Sequence, residues 1–270
     1  MNKSNIACFI IATVIIGALL TRNFFSVNEY YSSPNNTTTE SYSDLPTDPI
    51  EFAKQLQAKI EKKYPGITNG VHSSDQYDMA RADILNAYSM KDCLLKLGNV
   101  CFKNIVKINR DEYMPYQECI QDGESYGIKY CHASYDSWAG LVKKCGGTKN
   151  LPTLHELQML ADYLYDIKTQ NCTDLDGNAY FECKGRFREG LTLKEDNDLV
   201  QAFLLYYNTF LPLNGEENLR QKRRGFSIPS GEERNGTYVY GWGFGRNGTS
   251  YEADYHKMLS DDIGLCVSRD

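Results

Sequence analysis

The chain has 270 residues, a net charge of −6 at pH 7 and an isoelectric point near 5.4, with 20 tyrosines and nine cysteines. That length is ample for a sizeable core, in one large domain or two small ones. The acidic balance argues against a general nucleic-acid binder, which needs a basic surface to neutralise phosphates.

The first element is an uninterrupted apolar run from Ile6 to Leu20, preceded by Lys3 and followed by Arg22. Its length suits a signal-peptide core or a short membrane anchor. No small-x-small cleavage pattern follows Ala18-Leu19-Leu20, so residues 1–25 read as an N-terminal signal anchor, or a signal peptide if cleaved. Cys8 lies near the start of the run and does not read as a lipoprotein acylation site. Residues 26–48, rich in Ser, Thr and Asn, read as a flexible stalk. Asp48-Pro49 then starts a helix, with Asp as N-cap and Pro in the first turn, running to about Tyr64 before Pro65-Gly66. A second helix begins near Ser74 and is expected to run towards Gly98, carrying Met79, Ile84, Leu85, Tyr88 and Leu94. The two make a helical segment over 49–98.

From Val100 the texture changes to short apolar runs broken by Gly, Asp and Asn, as in short strands and loops. Helical texture returns at 136–145, 153–167 and about 195–209, and 226–269 reads as short glycine-rich strands. At residues 153–156, Thr-x-x-Glu forms a capping box behind Pro152. Leu154, Leu157, Leu160, Ala161 and Leu164 then fall on one helical face. Residues 212–236 carry few apolar side chains and many charges and read as a loop.

Without Cys8 the cysteines form an even set beyond the apolar run: Cys93, Cys101, Cys119, Cys131, Cys145, Cys172, Cys183 and Cys266. An exported chain with such a set reads as a disulfide framework. Zinc is the rival, but there is no Cys-x-x-Cys pair and the histidines are scattered. The domain is therefore expected outside the cytoplasm, anchored through its N-terminal helix or secreted. Turn signals place Cys172 beside Cys183, Cys93 beside Cys101 and Cys119 beside Cys131. Exchange of the last two into Cys93–Cys119 and Cys101–Cys131 remains open.

Candidate ligand groups are few. Arg220, Lys222, Arg223 and Arg224 form a basic cluster able to meet sulfated or phosphorylated glycans, or else a solvated loop. Trp242, between glycines, is placed either to stack on a sugar or to fill the core. Asp174, Asp176 and Asn178 stand at alternate positions, as in a calcium loop, but lack the EF-hand glycine and glutamate. A tight turn between two cysteines explains them as well, and no other cofactor is indicated. His132, His155 and His256 have no nucleophile beside them in a motif. The tyrosines suit either a loop-rich binding surface or a half-buried irregular core.

Trp138, Ala139, Cys145, Gly146-Gly147, Leu151 and Glu156 together resemble the passage between the two helices of the C-type-lectin-like fold. Asn-Leu-Pro-Thr-x-x-Glu-Leu is similar to a signature of bacterial domains in that superfamily, found at the C-terminus of collagen-like surface adhesins. The ending Ile263-Gly264-Leu265-Cys266-Val267 is similar to their closing strand. The resemblance covers about 100–270 and implies an α+β fold, with short antiparallel strands and two helices. The domain would occupy 99–270 with an insertion at about 167–235. In that fold a disulfide joins the first helix to the last strand, which implies Cys145–Cys266. The departures are Asn150, where the signature has Arg, the insertion, and the absence of the Glu-Pro-Asn or Trp-Asn-Asp triplet of calcium-dependent sugar binding. The implied function is binding of a glycan or protein at the cell surface, not catalysis. Two rivals are an enzyme of the related formylglycine-generating kind, which needs reactive thiols, and a subunit of a surface appendage or envelope assembly.

Overall fold

A computed structural model of the protein describes residues 42–69, 73–165, 188–189, 193–207, 225–245, 248–259 and 263–270. The apolar run, most of the stalk, the basic cluster, the Asp174–Asn178 stretch, and Cys172 with Cys183 lie outside these residues. Among the described residues no helix is long and apolar enough to cross a membrane.

The fold is α+β. Six helices are described: α1 (Pro49–Lys63), α2 (Ser74–Ser89), α3 (Tyr116–Asp122), α4 (Ser137–Cys145), α5 (Leu154–Leu164) and α6 (Asp198–Tyr207). The strands are β1 (Leu95–Leu97), β2 (Val100–Lys107), β3 (Met114–Pro115), β4 (Tyr135–Asp136), β5 (Arg188–Glu189), β6 (Gly225–Glu233), β7 (Tyr238–Gly245), β8 (Gly248–His256) and β9 (Ile263–Arg269). They pair antiparallel in three small sheets, ordered β1-β2-β9, β3-β4 and β5-β8-β7-β6.

Several helix starts follow from their caps. The Asp48 side chain accepts from Glu51 N–H at 2.9 Å, with Pro49 in the first turn. Thr153 and Glu156 form the expected box: Thr153 N–H donates to Glu156 at 2.7 Å, and Glu156 N–H to Thr153 Oγ1 at 3.2 Å. Leu151 is extended before Pro152, and Gly146 ends α4 at φ +84°, a left-handed conformation open to glycine at little cost.

Two expectations are corrected. The second helix stops at Ser89 instead of running towards Gly98, and Leu95–Leu97 is a strand. Gly98, at φ +59°, turns the hairpin into β2, so Cys93 meets Cys101 across a hairpin and not at a helix end. The loop expected over 212–236 gives way at Gly225 to the strand texture expected from 226. Gly225–Glu233 is a strand, because Ile228 and Ser230 turn inward while Glu232 stays exposed. Helix α3 arises where only strands and loops were expected; seven residues are too few for a 3.6-residue period to show.

Helices α1 and α2 pack on α6 and on each other, and α2 also packs on β2. Phe52, Leu56, Ile60, Ile84, Tyr88, Phe203 and Tyr206 are all buried, with the Phe52 and Tyr88 rings 4.9 Å apart. A second core gathers Trp138, Leu141, Val142, Ile108, Met114, Val239 and Tyr255.

The last strand closes the body. β9 lies antiparallel to β2, from Val100 opposite Arg269 to Lys107 opposite Ile263. Cys145 of α4 is bonded to Cys266 of β9, and Cys93–Cys101 and Cys119–Cys131 form two local bridges. Three disulfides mark a domain of an oxidising, extracytoplasmic compartment. Arg269 adds a second link, donating to both carboxylate oxygens of Glu156 at 2.6 Å, to Leu151 O at 3.0 Å and to Lys149 O.

Two outcomes follow. Cys145→Ala with Cys266→Ala opens a bridge of sequence separation 121, and should cost about 2–5 kcal/mol in non-reducing denaturant unfolding. Burial pushes the Glu156 carboxyl up, but hydrogen bonds from Arg269 and Thr153 outweigh it and hold it below the ordinary 4.5. A lowered value gives stability that is present above the unfolded value and lost as pH falls through the folded one. Arg269→Ala should therefore cost about 1.5–3 kcal/mol near neutral pH, and the gap from wild type should shrink below pH 4.5.

Candidate functional site

Among the described residues, the side chains of Lys257, Asp136 and Glu233 meet at one point closed to solvent. The alternation that buries Tyr255 and Leu259 also buries Lys257, which is fully enclosed. Its Nζ lies 2.6 Å from Glu233 Oε1, 3.7 Å from Asp136 Oδ2 and 4.6 Å from the centre of the Trp138 ring, and it donates to Tyr130 O. The lysine backbone is pinned to the start of α4. Its carbonyl accepts from Trp138 N–H and Ser137 Oγ, each at 2.9 Å.

Each partner is fixed from a different element. Glu233 ends β6 and takes backbone N–H groups from Lys129 at 2.6 Å and Tyr130 at 3.1 Å. Asp136 is the N-cap of α4, with Oδ1 accepting from Ala139 N–H at 2.8 Å. Its other oxygen, Oδ2, is buried without a hydrogen-bond partner. Trp138 Nε1 donates to Ser230 O at 2.9 Å and fixes the ring beside the cation. Burial pushes the Asp136 carboxyl up to about 6, against the pull of Lys257 and the Ala139 N–H. At the rim, His132 and His256 stand 5.5 Å apart, with Tyr238 5.4 Å from His256.

A separate open cleft of about 650 Å³ lies between α2 and β2. Met79, Leu85 and Val106 supply apolar lining, and Asp78, Asn86, Asn104 and Lys144 supply polar groups. Lys107 Nζ reaches Asp78 at 3.2 Å and bridges the two walls. This combination of apolar wall and a few oriented polar groups is characteristic of small-ligand sites.

The residues singled out by sequence do not build either place. Arg220, Lys222, Arg223, Arg224, Asp174, Asp176 and Asn178 lie outside the described residues. Trp242 belongs to the core: it is 5% exposed and its Nε1 is spent on Thr249 Oγ1 at 2.6 Å, so no ring face is offered to a sugar. Among the described residues no group of three or more His, Cys, Asp or Glu side chains can hold a metal. The buried triad was missed because Asp136, Glu233 and Lys257 are distant in sequence. The one readable signal was Lys257 at an inward position of an alternating Tyr-x-Lys-x-Leu run. No family model, curated protein or solved structure matches the chain.

Breaking a buried ion pair strands the partner charges. Lys257→Ala should therefore cost about 3–5 kcal/mol in urea unfolding. A surface lysine would change stability by less than about 0.5 kcal/mol, so a loss that small would remove the cluster from the fold's supports.

Proposed function

We propose that the chain is an extracytoplasmic binding protein with a disulfide-stapled C-type-lectin-like domain, held at the membrane by Ile6–Leu20 and carrying its ligand site in the α2–β2 cleft. The observation that carries this reading is the closure of the domain. The terminal strand returns beside β2 and is bonded to the first helix of the Trp-x₆-Cys-Gly-Gly passage through Cys145–Cys266. A stapled frame of this kind leaves its surface free to vary, because stability does not depend on that surface.

Glycan is the ligand class favoured by the cleft, where amides and a carboxylate border apolar side chains. Amides offer donor and acceptor together to sugar hydroxyls, and apolar walls cover the sugar's C–H face. Two observations weigh against the rivals. All cysteines among the described residues are bonded in pairs, which leaves no thiol there for formylglycine-type chemistry. Phe52, Leu56 and Ile60 of α1 and Ile84 and Tyr88 of α2 turn into their own chain's core, which weighs against an assembly helix pair.

The test has two arms. Thiol titration of unfolded, unreduced protein should find one equivalent, Cys8; three equivalents would leave a free pair and favour the enzyme. A glycan array should then give a binder, and Asn86→Arg, at an exposed position lining the cleft, should weaken it about tenfold or more, ~1.4 kcal/mol, without lowering the melting temperature. Unchanged binding would move the site elsewhere.

A further inference from the structure

We propose that Lys257 and Asp136 become joined by an intramolecular isopeptide bond, with Glu233 carrying the proton, so that the end of β8 is tied covalently to the start of α4. The two reacting side chains already touch, with Nζ 3.7 Å from Asp136 Oδ2. The side chains of Lys257, Asp136 and Glu233 are 0%, 1% and 2% exposed, so water is excluded from both reactants and product. Two groups held in contact react with effective concentrations far above those of free solutes, up to ~10⁵ M or more in well-oriented cases.

The hydrogen bonds distinguish the two carboxyls. Glu233 accepts two backbone N–H groups in addition to the Lys257 ammonium, which holds it as the carboxylate in direct hydrogen-bond contact with Nζ. Asp136 has Oδ1 held by the Ala139 N–H, while Oδ2 faces the Lys257 ammonium at 3.7 Å. The held oxygen is placed to become the amide carbonyl, with the N–H stabilising the charge that develops there. The other oxygen, Oδ2, is the leaving group. Burial that pushes Asp136 up to about 6 populates its acid form, which is the electrophile.

The step balances. Glu233 takes one proton from the Lys257 ammonium across 2.6 Å, and the freed amine attacks Cγ of the Asp136 acid. The C–N bond forms, the Cγ–Oδ2 bond breaks, and one water leaves. Its two protons are the acid's own and a second from Nζ, relayed by Glu233. The third proton of Nζ stays on the amide, and Glu233 ends protonated. No oxidant or co-reactant is required. Trp138, at 4.6 Å from Nζ, walls the site, and Tyr130 O accepts the N–H that remains.

Mass spectrometry of the full chain decides it. After reduction, digestion of wild type should give a branched peptide joining Asp136 to Lys257, about 18 Da lighter than its two linear parts, one water. Trypsin should fail to cut after Lys257. Glu233→Gln should lose the branch and restore both linear peptides. If Glu233→Gln does not fold, the wild-type digest stands alone as the test. Linear peptides with a free Lys257 amine in folded wild type overturn the proposal, and so does a branch that survives Glu233→Gln in full yield.

Discussion

The terminal strand has to cross the body to lie beside β2, and nearly everything else is arranged around keeping it there. Backbone pairing alone would leave β9 able to peel off, since it is an edge of a three-stranded sheet. Two links act on it, three residues apart and so from opposite faces of the strand. Cys266 is bonded into the end of α4, and Arg269 grips Glu156 at the start of α5 and the carbonyls of the turn between those helices. The helix pair, the intervening glycine turn and the closing strand are therefore one mechanical unit. The capping box gains a second purpose here, because the carboxylate that caps α5 also receives the guanidinium.

The buried triad fastens a different seam. Lys257 follows β8, Glu233 ends β6, Asp136 opens α4 and Tyr130 belongs to the loop after α3, so one ammonium gathers four segments. A buried cation with two carboxylates is costly to desolvate, and an apolar replacement of similar volume is often as stable. Its retention is informative for that reason. Specific geometry is what such a cluster supplies: β8 cannot slide by one residue without placing Lys257 on the solvent face. A covalent tie at this point would make that register permanent, and the dry, aromatic-walled setting is what such a bond requires.

The supports of the fold and the open cleft lie in different places. The disulfides, the triad and both cores lie within the frame, while the cleft lies between α2 and β2, with half-exposed Met79 and polar groups on its walls. The Lys107–Asp78 pair across that cleft is largely solvent-exposed on the aspartate side. A pair of this kind adds little to stability and yields readily to an incoming ligand or to salt.

Local chemistry was readable from the residues themselves. Asp48-Pro49 and Thr153-x-x-Glu156 set helix starts, because a cap is satisfied within four residues of chain. Gly146 ends a helix for the same kind of reason, and an even cysteine set beyond an apolar run pointed to an oxidising compartment. The α+β class was what the resemblance of residues 100–270 implied. Tertiary structure alone decided the rest. Whether Leu95–Leu97 extends a helix or pairs as a strand depends on β2 being free to receive it, and propensity over three residues cannot outweigh a sheet. Trp242 reads equally as stacking platform or core until Thr249 is seen beside it. Asp136, Glu233 and Lys257 each look like ordinary surface charges in sequence. Their meeting is set by ion pairs from Lys257 to Glu233, 24 residues away, and to Asp136, 121 residues away, and no local spacing encodes such contacts.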